Sequence, residues 1–211
     1  MNLILYYAPT TCALVPHVTL LEGGADFEVR TVNFAKGQHR SPQFLEVNPK
    51  HKVPVLLIDG RPLTENVAIQ IWIARNFPKA QLLPRDPIGE IEAIAFLAWC
   101  ASSIHIAITP CVFPQWLCDM PGSEASVKRL SHQRLLESPN TAERLLDGRD
   151  WFFGDFTAAD AYFFWCFRRA GQAGADIAGL KNCAAHFDRM SARPSVQKTL
   201  AVEAKVLAEF A

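Results

Sequence analysis

The feature that most constrains this 211-residue sequence is a proline-rich segment, residues 78–87, between two stretches of different hydrophobic pattern. Three prolines in ten positions interrupt any helix or strand, because proline has no backbone N–H and a fixed φ. Before this segment helical and strand periodicities alternate, and after it only the helical periodicity occurs. We therefore predict two domains, an α/β domain over 1–80 and an all-helical domain over 88–211.

Within the first domain, the pattern predicts the order strand, helix, strand, helix, strand, strand, helix. These elements are expected at 3–7, 12–21, 27–32, 41–48, 53–58, 61–63 and 65–77. Asp59-Gly60 is typical of a tight hairpin turn, and Thr64 is predicted to cap the helix that follows it. A small mixed sheet with helices on both faces is the packing that this order favours.

The second domain is predicted to contain only helices. They are expected over 88–109, 123–146, 157–171, 182–193 and 195–210. Pro110 should bend or stop the first of them, and Ser138-Pro139 could interrupt the second. Thr157 with Asp160 three residues later predicts a capping box at the start of the third helix.

The charges exclude several classes of function. The 21 basic side chains balance 21 acidic ones, and no basic run is present. Nucleic-acid binding depends mainly on clustered Lys and Arg that face phosphates, so we do not expect it. The apolar N-terminus has no basic residue before Arg30, unlike a secretory signal, and no uninterrupted apolar run is long enough to predict a membrane span. We expect a soluble, cytoplasmic protein without nucleic-acid or membrane partners.

The six cysteines predict neither a disulfide framework nor a metal site. No two of them form a Cys-x-x-Cys pair, and the histidines lack metal-ligand spacing. Five of the six lie in apolar helical stretches, where a free cysteine is usually a small buried residue. The exception is Cys12, which follows the first strand.

Cys12 has two interpretations. At the start of a helix, free backbone amides and the positive helix end stabilise a thiolate and lower the pKa of the thiol. The hydroxyls of Thr10 and Thr11 in the same turn could hold a thiolate that belongs to a ligand. The alternative is a small buried side chain, since free cysteine is among the most buried residue types.

Two other motifs also leave two interpretations open, and a lone histidine has a structural one. Val53-Pro54 indicates either an edge strand that could pair with an extended peptide or only a stiff entry to a strand. Glu65-Asn66 at a helix start suits a ligand with both an ammonium and a carboxylate, although ordinary capping explains the same pair. His105 lies in an apolar helix, where a histidine is usually a hydrogen-bonded core residue.

Four segments, in chain order, resemble motifs of the cytosolic glutathione transferases. They are Tyr7-Ala8-Pro9-Thr10-Thr11-Cys12-Ala13-Leu14-Val15-Pro16-His17, Asn48-Pro49-Lys50-His51-Lys52-Val53-Pro54-Val55, Leu63-Thr64-Glu65-Asn66 and Gly154-Asp155-Phe156-Thr157-Ala158-Ala159-Asp160. The cysteine before Leu-x-Pro-His, together with the segment from Ala101 to His105, is most similar to the bacterial beta class.

The resemblance implies a thioredoxin-like N-terminal domain, an all-helical C-terminal domain, and a homodimer with a glutathione site on each subunit. Val53-Pro54 would be a cis peptide, and the Val53 backbone would pair antiparallel with the cysteinyl unit of glutathione. Cys12 would lie beside the glutathione sulfur, and His105 would reach it from the second domain. Glu65 and Asn66 would hold the γ-glutamyl end, and the other implied glutathione-binding residues are Pro54, Lys36 and Lys52.

The implied activity is attack of glutathione, as a thiolate co-substrate, on a hydrophobic electrophile or a disulfide, with thiol exchange through Cys12. An acceptor pocket would be lined by Tyr7, Pro9 and Ile108, and no metal is implied. One alternative is a glutathione-dependent isomerase or dehalogenase in which the hydroxyl of Thr10 or Thr11 activates the sulfur. Another is a non-catalytic glutathione-binding protein of the stress response.

Overall fold

The computed structural model describes all 211 residues and divides the chain into two compact units. The first unit consists of Met1–Leu83 together with Ala192–Ala211, and the second is Pro84–Ser191. The division after Leu83 falls inside the predicted linker 78–87. The predicted extent of the second domain, 88–211, needs a correction, because the final helix packs with the first unit.

The first unit is built on a four-stranded mixed sheet in the order β2-β1-β3-β4. Its strands are β1 (Leu3–Tyr7), β2 (Glu28–Thr31), β3 (Val55–Ile58) and β4 (Arg61–Thr64). β1 pairs parallel with β2 and antiparallel with β3, and β3 pairs antiparallel with β4. The helices of this unit are α1 (Leu14–Glu22), α2 (Pro42–Val47), α3 (Asn66–Asn76) and α9 (Pro194–Phe210). The predicted element order of residues 1–77 is thus confirmed.

Helix α1 lies at the centre of the first unit. It packs against β1, α3 and α9, so every residue from Leu14 to Leu20 is buried. The contact with α9 includes a 2.7 Å hydrogen bond between His17 Nδ1 and Thr199 Oγ1. Polar side chains of α9 therefore complete the core of a unit that the sequence pattern assigned to residues 1–80 alone.

Two turns in this unit carry the geometry that their residues favour. Asp59 and Gly60 both have positive φ, 48° and 82°, as a two-residue hairpin loop of type I′ requires. Ser41 Oγ accepts a 3.2 Å hydrogen bond from the backbone of Phe44 and caps α2 as predicted. Thr64 does not cap α3, because it ends β4 and the helix begins only at Asn66.

Pro54 does not mark an edge strand. It precedes β3, which lies between β1 and β4, so the edge interpretation of Val53-Pro54 is wrong. The first ladder residue is Val55, paired with both Tyr6 and Thr64, and Pro54 therefore needs no ladder hydrogen bond. The Val53-Pro54 peptide bond is cis, as the resemblance implied.

The second unit is helical. Its helices are α4 (Pro87–Trp99), α5 (His105–Val112), α6 (Glu124–Leu145), α7 (Ala158–Gln172) and α8 (Lys181–Ala192). A π-helical segment, Cys100–Ile104, joins α4 to α5, and α5 continues past Pro110 to Val112. The expected interruption at Ser138-Pro139 does not occur, because Pro139 lies on the buried stripe of α6 with Leu135 and Ala142. Packing at this stripe outweighs the one helical hydrogen bond that a proline removes.

A buried polar cluster fixes the start of α7. The Thr157–Asp160 capping box is present as predicted. Asp160 accepts hydrogen bonds from Thr157 Oγ1 at 3.0 Å, from the Phe152 backbone at 3.2 Å and from His186 Nε2 at 3.1 Å. Since Asp160 and His186 are both fully buried, this cluster links α7 and α8 inside the unit.

The run Pro87–Val112 is long and apolar enough to cross a membrane by length and composition alone. The core helix of a soluble protein meets the same criterion. Its buried side chains recur at helical spacing, and they are Ala93, Phe96, Leu97, Cys100, Ile104, Ile108 and Cys111. α4 and α5 also pack against α7, so this stripe forms part of the helical core of the second unit.

Candidate active site

The turn between β1 and α1, residues 8–13, is here called the Cys12 turn. Thr11 Oγ1 donates a 2.7 Å hydrogen bond to the Ala8 carbonyl and accepts one of 3.3 Å from the Ala13 backbone. The Thr11 hydroxyl thus joins the beginning of the turn to its end. Its proton is directed to a backbone oxygen of the turn itself.

Thr10, at the tip of the Cys12 turn, has a left-handed backbone with φ of 63°. A β-branched residue rarely adopts positive φ, because its side chain crowds the backbone there. The Thr10 backbone N–H donates a 2.8 Å hydrogen bond to Glu203 Oε2 of α9. The hydroxyl of Tyr7 lies 3.4 Å from the same oxygen. A buried carboxylate from the far end of the chain therefore holds the tip of the turn.

Cys12 lies two residues before α1 and is only 7% exposed. Its Sγ lies 3.9 Å from the carbonyl oxygen of Val53. Burial raises the pKa of the thiol to about 12, although the Asn66 side chain and the Lys52 charge act in the opposite direction. The expectation of a lowered pKa is wrong, because loss of solvation outweighs the nearby helix start. Cys12 is therefore a protonated donor at neutral pH.

Val53 and the Cys12 turn belong to one apolar cluster. Its buried members are Tyr7, Ala8, Ala13, Val32, Phe44, Val53 and Val55. Tyr7 is fully buried in this cluster, so it is not available as the pocket-lining residue that the resemblance implied. The cluster fixes the Cys12 turn against the residue that precedes the cis peptide.

A chain of buried amides connects the Cys12 turn to α3. Asn66 Nδ2 donates a 3.0 Å hydrogen bond to the Cys12 carbonyl, and Gln70 Nε2 donates one of 3.0 Å to Asn66 Oδ1. Thr19 Oγ1 of α1 then donates a 2.8 Å hydrogen bond to Gln70 Oε1. Asn66 thus orients the backbone of Cys12 and is itself oriented by Gln70.

Glu65 has a constrained backbone and an exposed side chain. Its φ is 69° and its ψ 120°, a conformation that costs roughly 1–3 kcal/mol in a residue other than glycine. The Glu65 carboxylate forms an ion pair with Lys50, and the Lys50 ammonium also donates a 2.9 Å hydrogen bond to Thr64 Oγ1. This geometry presents a carboxylate at the start of α3 without burying it.

The first unit also carries two exposed cations near this region. Neither Lys36 nor Lys52 forms an ion pair or a side-chain hydrogen bond. The Lys36 backbone N–H donates to Asn33 Oδ1 at 3.0 Å, and the Lys52 carbonyl accepts from Asn48 Nδ2 at 2.7 Å. Both backbones are fixed while both ammonium groups stay in solvent. No cluster of His, Cys, Asp or Glu in the chain could hold a metal ion.

Comparison with known proteins decides the family. Residues 1–75 match the model of the glutathione S-transferase N-terminal domain. Over 203 residues the chain is 36% identical to glutathione S-transferase GstA of Escherichia coli O157:H7, covering 94% of this chain and 98% of the relative. The chain belongs to the glutathione transferase family. It is therefore a glutathione transferase enzyme, and glutathione is its co-substrate.

Solved glutathione transferases share this fold over nearly the whole chain. The bacterial beta class glutathione S-transferase of Sphingomonas chungbukensis has a TM-score of 0.84 and 32% identity, covering 95% of this chain and 98% of that one. A sphingomonad glutathione S-transferase complexed with glutathione has a TM-score of 0.84 and 30% identity, with coverage of 95% and 98%. The predicted fold class, thioredoxin-like α/β followed by an all-α domain, is confirmed, as is the likeness to the bacterial beta class.

In the second unit of this transferase, His105 opens α5 directly after the π-helical segment. Its Nδ1 lies 3.4 Å from the hydroxyl of Tyr162, and its ring packs edge-on against Trp165 with centroids 4.4 Å apart. π-Helical turns occur frequently at functional sites.

Ile108 is 3% exposed and Pro9 is half-buried, so Pro9 is the more accessible of these two predicted pocket residues. The contact of His105 with a glutathione sulfur stays a prediction.

Three transferase residues in this region escaped sequence reasoning: Lys50, Gln70 and Glu203. Each bonds to a residue outside its own element, at separations of 15 positions for Lys50 and Glu65, 51 for Gln70 and Thr19, and 193 for Glu203 and Thr10. A signal for Glu203 was nevertheless present. It stands four residues after Thr199 and three before Val206, on the stripe that α9 buries. A carboxylate on a buried helical stripe needs a donor inside the protein.

Proposed function

We propose that this transferase binds glutathione along Val53 and uses the Cys12 thiol to stabilise the glutathione thiolate. The observation that carries the proposal is the 3.9 Å contact between Cys12 Sγ and the Val53 carbonyl. It places a protonated sulfur beside the backbone that would pair with the cysteinyl unit. An S–H group that donates to a thiolate favours the charged form of glutathione and lowers its pKa. The thiolate is the form that attacks.

The binding mode that we propose uses charges already set around this contact. Glutathione offers an ammonium and a carboxylate at its γ-glutamyl end, and a second carboxylate at its glycyl end. Glu65 would accept from the ammonium, and the exposed ammonium groups of Lys36 and Lys52 would take the glycyl carboxylate. Asn66, already bonded to the Cys12 carbonyl, would align the γ-glutamyl end with the sulfur. The related sphingomonad protein complexed with glutathione supports this ligand.

The acceptor in our proposal is a hydrophobic electrophile or a disulfide. Pro9 would contribute to its pocket, and His105 would orient the sulfur or move a proton there. The hydroxyl of Thr11 donates to Ala8 at 2.7 Å, whereas the Cys12 sulfur lies 3.9 Å from the Val53 carbonyl, a much weaker contact. Cys12 is therefore the better candidate for the sulfur contact. We further propose a cytoplasmic homodimer, as is typical of the family.

Thiol exchange through Cys12 is the finer part of the proposal. The Cys12 thiolate would attack one sulfur of glutathione disulfide, forming a protein–glutathione disulfide and releasing one glutathione thiolate, which takes up a proton. Burial raises the pKa of Cys12 to about 12, so its thiolate fraction is small at pH 7. Below that pKa, each unit by which the pH rises increases the thiolate fraction about tenfold. Exchange should therefore be slow at neutral pH and faster in alkaline solution.

Conjugation kinetics test the thiolate role. With a chloronitrobenzene electrophile, Cys12→Ala should lower kcat/KM by about tenfold, less than the loss of a strong oxyanion donor, and shift the pH–rate profile upward. Cys12→Ser, which keeps a hydroxyl donor, should retain more activity. An unchanged profile and rate in Cys12→Ala would refute the role of Cys12.

Intact-protein mass spectrometry tests thiol exchange separately. After incubation with glutathione disulfide, the wild type should gain one glutathione adduct, faster at pH 9 than at pH 7. Cys12→Ala retains the other five cysteines and serves as the control. No adduct on the wild type, or an equal adduct on Cys12→Ala, would sink this part of the proposal.

A further inference from the structure

Helix α9 reaches the Cys12 turn through one buried carboxylate. Glu203 is 2% exposed, and its Oε2 accepts the 2.8 Å hydrogen bond from the Thr10 backbone. A backbone N–H that donates to a carboxylate makes a charge-assisted hydrogen bond, which is shorter and stronger than a neutral one. This bond holds Thr10, whose left-handed backbone is the least favourable conformation in the Cys12 turn.

The conformation of Thr10 determines where Cys12 lies. A left-handed residue reverses the chain direction sharply, and here it does so two residues before the thiol. In the extended or right-handed conformations that threonine prefers, the chain would leave β1 in another direction. The 3.9 Å contact of Cys12 with Val53 therefore depends on a residue that needs an external bond to stay in place.

The position of Glu203 is itself fixed by contacts with two residues of α1, Glu22 and His17. Arg193 forms two hydrogen bonds with the Glu22 carboxylate, at 2.9 and 2.8 Å, and Ser195 donates to the same carboxylate. Thr199, one turn before Glu203, contacts His17 at 2.7 Å. These contacts fix α9 against α1, and so they fix the position of the Glu203 carboxylate relative to the Cys12 turn.

We propose that Glu203 is a positioning residue, which keeps Thr10 left-handed by accepting its backbone N–H and thereby holds the Cys12 thiol beside the Val53 carbonyl. This inference rests on the proposed function, in which Cys12 contacts the glutathione sulfur. It assigns to α9 a part in the activity of a site built from residues 7–66. Glu203 acts through Thr10 and touches neither glutathione nor the acceptor.

Two conservative variants separate position from charge. Glu203→Gln loses the charge but keeps an oxygen at the same reach, so it should hold Thr10 and keep kcat/KM within about threefold of wild type. Glu203→Asp keeps the charge but withdraws the oxygen by one methylene. Since misplacement by about 1 Å can cost about 100-fold, Glu203→Asp should lose between tenfold and 100-fold in kcat/KM. Glu209→Gln and Glu209→Asp, at an exposed site of the same helix, are the matched controls.

A second substitution tests the route through Thr10. Glycine adopts positive φ without strain, so Thr10→Gly no longer needs the hydrogen bond to Glu203. Adding Thr10→Gly to Glu203→Asp should restore kcat/KM to within about threefold of the Thr10→Gly single variant, whereas a general loss of stability would not be repaired in this way. Activity is measured well below the melting temperature of each variant.

Three results would overturn the inference: Glu203→Gln less active than Glu203→Asp, failure of Thr10→Gly to restore activity, or fast amide exchange at Thr10 in the wild type. The exchange measurement uses the unmodified protein, and the inference predicts strong protection of this amide. A wild type that shows no conjugation would instead contradict the proposed function, so the two failures are distinguishable.

Discussion

The side-chain amide of Asn66 donates a 3.0 Å hydrogen bond to the carbonyl oxygen of Cys12, and this bond joins the start of α3 to the Cys12 turn. The carbonyl oxygen of the same amide accepts from Gln70. Both partners are in buried surroundings, so neither can exchange its bond for one with water. Asn66 thus links the start of α3 directly to the backbone of the turn.

Replacement of Asn66 should destabilise the protein measurably. Asn66→Leu leaves the Cys12 carbonyl and the Gln70 amide buried without this partner, which should lower the free energy of unfolding by about 1–3 kcal/mol. Urea titration followed by circular dichroism measures the change. Asn76→Leu, at the exposed end of the same helix, is the control and should change stability by less than about 0.5 kcal/mol. Equal losses in the two variants would contradict this assignment.

The buried His17 predicts a dependence of stability on pH. Burial lowers its pKa from the ordinary 6.5 to about 4 in the folded protein. Between these values the unfolded chain binds a proton that the folded one does not, so stability is lost as pH falls from 6.5 towards 4. The pKa difference corresponds to about 1.4 kcal/mol per unit, or about 2 kcal/mol between pH 7 and pH 5.

Urea titrations at pH 7 and pH 5 measure this loss. His17→Asn removes the titrating ring, which lies between the aromatic rings of Tyr7 and Phe27, and should reduce the pH dependence. The variant itself should be less stable at pH 7. If its stability falls with pH as steeply as that of the wild type, the dependence belongs to other groups.

The capping box of α7 should contribute to the stability of the second unit, in which both of its residues lie. Thr157→Ala removes the hydroxyl that donates to Asp160, and loss of an N-cap typically costs about 1–2 kcal/mol. The melting temperature reports this change. Ser123→Ala, at the start of α6, is the control because Ser123 makes no side-chain cap. The prediction fails if the Thr157→Ala and Ser123→Ala variants have the same melting temperature.

The exposed cations make the affinity for glutathione sensitive to charge. Lys36→Gln and Lys52→Gln should each increase the KM for glutathione by about fivefold with little change in kcat, since an exposed charge pair is worth up to about 1 kcal/mol. The wild-type KM should also increase with ionic strength. Lys79→Gln, which removes another exposed cation of the first unit, is the control. A decrease in kcat without a change in KM would exclude this binding role.

Local patterns predicted the parts of the fold that depend on neighbouring residues. The Asp59-Gly60 turn needs only its own two backbones to adopt positive φ, and the Thr157–Asp160 box closes within four residues. Cys12, Val53 and Glu65 were singled out for the same reason, since each lies at the start of a predicted element. Such features are specified by short sequences and do not depend on tertiary packing.

Tertiary packing decides what the pattern could not predict. Burial, which depends on how the sheet, α1 and α3 meet, reverses the expected direction of the Cys12 pKa. The place of β3 in the sheet depends on β4, which pairs on its far side. The membership of α9 in the first unit follows from its bonds to His17 and Glu22 and from no pattern in α9 alone.

The bond between Thr10 and Glu203 also bears on how the protein is made. Its two ends are 193 positions apart, so a chain growing on the ribosome has synthesised the whole sheet and the whole second unit before Glu203 exists. Until then the Cys12 turn lacks the hydrogen bond from Thr10 to Glu203 that holds its tip. The nascent protein therefore carries a thiol that is not yet held in its final place, and the site can mature only after Glu203 has been synthesised.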